Sequence, residues 1–140
     1  MDDVRAKLST LWIVVMFNMI FADVLTLYIP EHLQDFVAGA TPFEITESLM
    51  LAMAFIIEIP IAMILLSRFM KYRANRITNL VASAITLVFV VAGGSMILHY
   101  LFFAAVEIVC LAMIAWYSWN WKAPESDAVT PDRRFASSSY

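Results

Sequence analysis

The sequence has few of the residues on which disulfides, metal sites and nucleophilic catalysis depend. It contains one cysteine, Cys110, so no disulfide can form within the chain. Its two histidines, His32 and His99, belong to no His-x-x-Glu or His-x-x-x-His pair, and we therefore expect no metal site. No nucleophile is visibly paired with a base, so the sequence favours neither an enzyme nor a cofactor, and an enzyme that acts on a lipid or quinone is kept as a third alternative.

Charged residues are also scarce. Only 15% of the 140 residues are charged and 62% are hydrophobic, more apolar surface than a soluble domain of this size could bury in one core. Four apolar runs are each close to the roughly 20 residues that a helix needs to cross about 30 Å of hydrocarbon. We therefore expect an all-α integral membrane bundle of four transmembrane helices within residues 1–121, with spans at about 8–29, 43–70, 76–98 and 100–120. Residues 122–140 lack an apolar period, which predicts a disordered cytoplasmic tail.

Basic residues are absent from the four apolar runs, at residues 11–29, 49–66, 77–98 and 101–119, and from one side of the membrane. In a four-span topology, all nine fall on the same side: Arg5, Lys7, Arg68, Lys71, Arg73, Arg76, Lys122, Arg133 and Arg134. The positive-inside rule then predicts that both termini are cytoplasmic. The tryptophans, which lie near the same predicted interface, are typical of an aromatic belt: Trp12, Trp116, Trp119 and Trp121. Without a basic soluble module, we expect the lipid bilayer as a partner and no nucleic acid.

The connection between the first two spans carries helix start and stop signals. Pro30 and Gly39 predict a short surface helix between them. Thr41, Pro42 and Glu44 then form a Thr-x-x-Glu capping box with proline at the first helical position. The second span is therefore expected to begin near Pro42.

Three carboxylates interrupt the apolar spans: Asp23, Glu58 and Glu107. An acid facing lipid costs about 2.5 to 3.5 kcal/mol on insertion scales, so each should point inward or be protonated. At 1.5 Å rise per residue, Glu58 lies near mid-membrane, with Glu107 and Asp23 towards the outer side. Asp23 shares a helix face with Met16, Met19 and Ile20. We expect the three acids to meet in the outer half of the bundle.

The second and third spans predict a polar pocket around Glu58. Ala54, Glu58 and Ala62 recur every four residues, which is typical of a close helix contact. Pro60 removes the donor for the Ile56 carbonyl and predicts a helix kink there. On the third span, one stripe of residues should face the interior: Asn79, Ser83, Thr86, Val90, Gly93 and Ile97. The hydroxyls of Ser83 and Thr86 in this stripe could hydrogen-bond a buried carboxyl.

Two functional hypotheses follow, because these acids have no lysine or arginine partner within the membrane. The first is a small oligomeric transporter or channel-like protein, in which Asp23, Glu58 and Glu107 bind protons or a small polar or cationic solute. The second is a non-transporting subunit or scaffold, in which protonated carboxyls are interhelical hydrogen-bonding groups. Either way, we expect a homo-oligomer or a complex with another membrane protein.

The segments VRAKLSTLWIVVMFNMIFADVL and EIPIAMILLSRFMKYRANRITN resemble a family of small bacterial four-helix membrane proteins of unknown function. The similarity extends through all four spans and includes the region of Glu107. It implies a bacterial cytoplasmic membrane location, but no activity. The layout also resembles the DoxX-like four-helix proteins, some of which associate with oxidoreductase or quinone-linked systems. No motif here is specific enough to transfer that function.

Overall fold

The computed structural model describes residues 2–40, 44–94 and 96–122, and these residues form five helices. They are α1 (Asp2–Leu27), α2 (Pro30–Ala38), α3 (Glu47–Phe69), α4 (Tyr72–Ala92) and α5 (Leu98–Asn120). All but α2 are long and apolar enough to cross a membrane. For the described residues, the prediction of an all-helical protein with four helices able to span a membrane is confirmed. The expected disordered tail lies outside the described residues, apart from Lys122.

The four long helices form a ring in which each packs against two neighbours. Both α1 and α4 pack against α3 and α5, so α1 and α4 face each other diagonally. Arg68, at the end of α3, donates through Nε to Ser9 Oγ of α1 at 3.2 Å. The Tyr72 hydroxyl, at the start of α4, donates to the carbonyl of Trp121, just after α5. The start of α1, the α3–α4 turn and the end of α5 therefore lie at one end of the bundle, which we call the basic end because of these residues: Arg5, Lys7, Arg68, Lys71, Arg73, Arg76 and Lys122. The opposite end is called the far end.

The short helix α2 has the boundaries that the sequence predicts. Pro30 occupies its first position, where the missing N–H has no helical acceptor to lose. Gly39 ends it with a φ of 69°, a left-handed conformation that glycine adopts without a Cβ clash. Through this turn Ala40 N–H donates to the Asp35 carbonyl at 2.8 Å.

The start of α3 differs from the prediction. Thr41 and Pro42 lie outside the described residues, but Glu44 precedes the helix instead of occupying its first turn. The N-cap is Thr46, whose hydroxyl accepts a hydrogen bond from Leu49 N–H at 3.2 Å. A threonine that satisfies a free N–H of the first turn gives a helix start, so the helix begins at Glu47.

The connection between α4 and α5 is longer than expected. The third span was predicted to reach residue 98, but α4 ends at Ala92 with Gly93 as its C-cap. Gly93 and Gly94 stand side by side, and each disfavours a helix by about 1 kcal/mol relative to alanine. Gly93 is therefore not part of a helical stripe, and Ile97 instead precedes α5 as its N-cap.

The tryptophans divide into two pairs, which corrects the prediction of a four-membered belt. Trp116 and Trp119 are 69% and 66% exposed, as interfacial side chains should be. Trp12 is fully buried and Trp121 is 7% exposed. Both belong to a hydrophobic core whose other members are Leu8, Val15, Met19, Met63, Ala82, Cys110, Leu111 and Ile114.

Candidate functional site

A buried polar cluster holds three helices together in the half of the bundle near the basic end. Asn79 of α4 accepts through Oδ1 from Trp12 Nε1 of α1 at 2.7 Å and from Ser67 Oγ of α3 at 3.2 Å. Asn75 donates through Nδ2 to the Ser67 carbonyl at 2.6 Å, and Asn79 Nδ2 donates to Asn75 Oδ1 at 2.6 Å. We call Trp12, Ser67, Asn75 and Asn79 the Asn79 cluster. Because all of them are fully buried, these bonds fix the relative positions of α1, α3 and α4.

A second polar contact joins α1 to α3 in the same half. Ser9 Oγ donates to the Ile64 carbonyl at 2.8 Å and also accepts from Arg68 Nε. Ser9 is 1% exposed, so its hydroxyl replaces water for both groups. The half near the basic end thus contains buried hydrogen bonds that link α1, α3 and α4.

The other half of the bundle contains a cavity of about 510 Å³. All four long helices contribute to its wall. We call this space the cavity, and the residues that line it are Met16, Met19, Ile20, Ala22, Asp23, Leu49, Met50, Met53, Ile57, Phe89, Val90, Ala92, Gly93, Tyr100 and Glu107. Its volume falls within the roughly 300 to 1,000 Å³ of pockets that hold drug-sized ligands.

Two of the three predicted carboxylates lie at this cavity. Glu107 comes from the inner face of α5 and is only 4% exposed. Asp23 comes from α1, one turn before that helix ends, and has an exposed side chain. Within residues 2–40, 44–94 and 96–122, neither carboxylate accepts a hydrogen bond. Both acids therefore have free acceptor capacity at the cavity, and Glu107 has it while almost completely buried.

The remainder of the cavity wall is mostly apolar. Four methionines line it, and methionine adapts its shape to irregular ligands: Met16, Met19, Met50 and Met53. Phe89 and Tyr100 add aromatic rings, and the Tyr100 hydroxyl donates to the Gly93 carbonyl at 3.3 Å. The sequence predicted that Met16, Met19 and Ile20 share a face with Asp23, and all four line the cavity. It did not predict Tyr100, which the early end of α4 brings close to Gly93.

Glu58 lies elsewhere. Its side chain is exposed on α3 and does not line the cavity, whereas Pro60 is buried. Two residues correspond to about 200° of helix rotation, so the buried Pro60 directs Glu58 to the outside of the bundle. Ala54, one turn earlier, is exposed as well. The prediction that Glu58 points inward is therefore wrong within one protomer. Of the three acids, the structure places only Asp23 and Glu107 at the cavity.

The other residues predicted for the pocket, Ser83, Thr86 and Pro60, do not line the cavity. Ser83 and Thr86 are buried on the inner face of α4. Ser83 Oγ donates within its own helix to the Leu80 carbonyl at 3.0 Å. Pro60 lies inside a continuous α3, where its ring leaves the Ile56 carbonyl without the usual helical donor. The expectation that these hydroxyls bind a buried carboxyl is not supported by these contacts.

A further polar contact among the described residues joins α1 to α5 at the far end. Thr26 Oγ1 lies 3.2 Å from His99 Nε2 and donates to the Ala22 carbonyl at 2.8 Å. It joins the two helices that carry Asp23 and Glu107. No group of three or more histidine, cysteine or acidic residues suited to a metal ion occurs in the described part of the chain.

These features define a small helical protein with four helices able to span a membrane, a polar cluster in one half and an acidic cavity in the other. The chain belongs to the family of unknown function DUF6326, whose family model matches residues 1–128. This confirms the resemblance to a family of unknown function. Neither the curated proteins nor the solved structures include a match to the chain.

Proposed function

We propose that the protein is a small proton- or cation-coupled transporter or channel-like protein, and that Asp23 and Glu107 form its solute site. The observation that carries this proposal is the environment of Glu107. Glu107 is 4% exposed as a residue, lines a cavity of about 510 Å³ and accepts no hydrogen bond from any described residue. A carboxylate in a membrane interior has to be neutralised by a proton or a cation.

Exchange of a proton for a cation at Glu107 would couple proton movement to cation movement. A proton and a cation cannot both neutralise the same carboxylate, so a cation that enters the cavity displaces a proton. A second carboxylate, Asp23, lies on the same cavity wall and is more exposed, which gives protons and solutes a site between Glu107 and the surroundings. None of the described residues that line the site is a lysine or arginine, which would compete with a cationic solute.

A flux assay tests the proposal. The purified protein is placed in liposomes that contain a pH-sensitive dye, with a proton gradient imposed and the membrane potential clamped by potassium and valinomycin. Sodium, ammonium, tetramethylammonium or tetraphenylphosphonium is then added outside. We expect at least one of these cations to accelerate proton movement in the wild type.

Glu58 provides a matched control for this assay. Glu107→Gln should abolish the acceleration, whereas Glu58→Gln, which removes a carboxyl from the same membrane region but outside the cavity, should keep it. If every cation leaves proton movement at the rate of empty liposomes, or if Glu107→Gln behaves like the wild type, the proposal is wrong.

The exposed side of α3 favours a second role, as the contact with a neighbouring membrane helix. Glu58 is the twelfth of the 23 residues of α3, and its exposed carboxyl would cost about 2.5 to 3.5 kcal/mol against lipid. Ala54 is exposed one turn away and would allow close approach of a second helix. We propose that another copy or another membrane protein covers this face, as expected for an oligomer, a subunit or a scaffold. Ala54→Cys in a Cys110→Ser background should form disulfide-linked dimers in native membranes if two copies meet there, and dimers should be absent if a different protein does.

The proposed location is the bacterial cytoplasmic membrane, with both termini inside the cell. The clustering of Arg5, Arg68, Arg76 and other basic residues at one end of the bundle supports this orientation under the positive-inside rule. Single cysteines at Gln34 and Lys122 in a Cys110→Ser background test it. A membrane-impermeant maleimide should label position 34 but not position 122 in intact cells, and the reverse would overturn the orientation.

A further inference from the structure

We infer that the cavity takes an organic cation with an apolar body, not a bare inorganic ion. This inference rests on the proposed function, because it names the class of solute for the same site. The shape and the chemistry of the cavity wall carry it. A metal ion or ammonium ion would fill only a small part of 510 Å³ and would need several oxygen ligands.

Side-chain oxygen ligands are few among the described residues that line the cavity. They are the two carboxylates of Asp23 and Glu107 and the phenol hydroxyl of Tyr100. The Tyr100 hydroxyl already donates to the Gly93 carbonyl. An ion that requires six or more oxygens would have to keep most of its water in a cavity with apolar walls, which is unfavourable.

An organic cation matches both parts of the wall. Its charged centre would face Glu107 and Asp23, while its apolar body would replace water against the methionines and against Ile57 and Phe89. The rings of Phe89 and Tyr100 can also attract a cation through their π faces. Methionine side chains tolerate several ligand shapes, so we expect a range of such cations to bind.

We expect solutes to enter the cavity from the bilayer. Ile20 and Met50, from α1 and α3, line the cavity and are 44% and 51% exposed. Asp23 is an exposed residue of the same wall. Apolar cations partition into membranes, so we expect them to reach the acids between α1 and α3.

Equilibrium binding to purified protein in lipid nanodiscs tests the inference. The probes are tetraphenylphosphonium, which has an apolar body, and tetramethylammonium and sodium, which have little or none. We expect saturable binding of tetraphenylphosphonium at least about tenfold tighter than that of either other cation. Glu107→Gln should weaken it at least about tenfold, since removal of one buried charge partner removes most of the pairing energy. Glu58→Gln should leave it unchanged.

A second variant tests the apolar wall without changing the acids. Met53→Trp places a larger side chain into open space in the cavity, where it should weaken tetraphenylphosphonium binding while far-UV circular dichroism and gel-filtration behaviour stay those of the wild type. If Met53→Trp folds normally and binds tetraphenylphosphonium with unchanged affinity, the ligand does not occupy the cavity and the inference is wrong.

The remaining outcomes separate the inference from the proposed function. If sodium or tetramethylammonium binds more tightly than tetraphenylphosphonium and requires Glu107, the solute class is wrong and the cation site stands. If no probe binds, or if all bind equally well to Glu107→Gln, both the inference and the acidic solute site are overturned.

Discussion

Replacement of Asn79 by alanine should destabilise the bundle by about 1 to 3 kcal/mol. Two hydrogen bonds reach Asn79 Oδ1 from other helices, one from Trp12 Nε1 at 2.7 Å and one from Ser67 Oγ at 3.2 Å. Interhelical side-chain hydrogen bonds in membranes contribute about 0.6 kcal/mol on average and about 1.7 kcal/mol at most. The loss of both gives the stated range.

Reversible unfolding in mixed micelles of mild detergent and dodecyl sulfate, followed by far-UV circular dichroism, measures this change. Trp12→Phe removes only one of the two interhelical donors, a loss of about 0.6 to 1.7 kcal/mol, and it also shrinks a fully buried side chain, which adds a packing cost. In the double variant the Trp12→Phe change should destabilise less than it does alone, because its acceptor is already absent and only the packing cost remains.

Asn18→Ala is the matched control. Asn18 Nδ2 donates to the Val14 carbonyl of its own helix at 2.7 Å, so its loss removes no contact between helices. It should change stability by no more than about 0.5 kcal/mol. The reasoning fails if Asn79→Ala unfolds at the same detergent composition as the wild type, or if Asn18→Ala is equally destabilising.

Three smaller experiments address other parts of the fold. Thr46→Ala removes the acceptor for Leu49 N–H and should destabilise α3 by about 1 kcal/mol in the same unfolding assay. Thr46→Ser keeps a hydroxyl and should be as stable as the wild type. Equal stability of the wild type and both variants would argue against the cap. Cys110 is 7% exposed, so a maleimide should label it slowly in mild detergent and quickly in dodecyl sulfate; equal rates would contradict its burial. Thr26→Val removes the contact with His99 and should increase amide hydrogen exchange near residues 22–27 more than near residues 8–15; a uniform change would exclude a local role.

The helical class and the number of spans could be predicted from hydropathy because hydrocarbon imposes both. A segment that crosses a membrane has to be apolar for about 20 residues and has to satisfy its own backbone hydrogen bonds. The boundaries of α2 followed in the same way from Pro30 and Gly39. The early end of α4 has an equally local cause in Gly93 and Gly94, but the apolar residues that follow them obscured it in the sequence.

The orientation of Glu58 could not be read from its helix, for a physical reason. In a soluble protein the polar face of a helix identifies the outside, but in a membrane the faces towards lipid and towards other helices are both apolar. Alanines spaced like Ala54 and Ala62 indicate a close contact without saying whether it lies within one chain or between chains. The structure settles the orientation through Pro60, which is buried and lies about 200° around the helix from Glu58.

Trp12 illustrates a related difficulty. Its position near the basic end matches an interfacial residue by sequence alone. Its burial depends on Asn79, 67 residues away, which supplies an acceptor for the indole N–H. A tryptophan with such a partner can enter the core, and only the packing of α1 across from α4 brings the two together. The sequence predicted the site best for residues of a single helix. Asp23, Met16, Met19 and Ile20 share a face of α1 by their spacing alone.

Infrared difference spectroscopy of the protein in lipid tests the central claim most directly. The signal is the band of protonated carboxyl groups, compared before and after addition of tetraphenylphosphonium in the wild type, Glu107→Gln and Glu58→Gln. We expect the cation to diminish this band in the wild type and in Glu58→Gln, because it displaces a proton from the cavity, and to have no such effect in Glu107→Gln. A band that does not respond to the cation in the wild type, or a response that disappears in Glu58→Gln and persists in Glu107→Gln, would contradict the assignment of Glu107 as the proton- and cation-binding group.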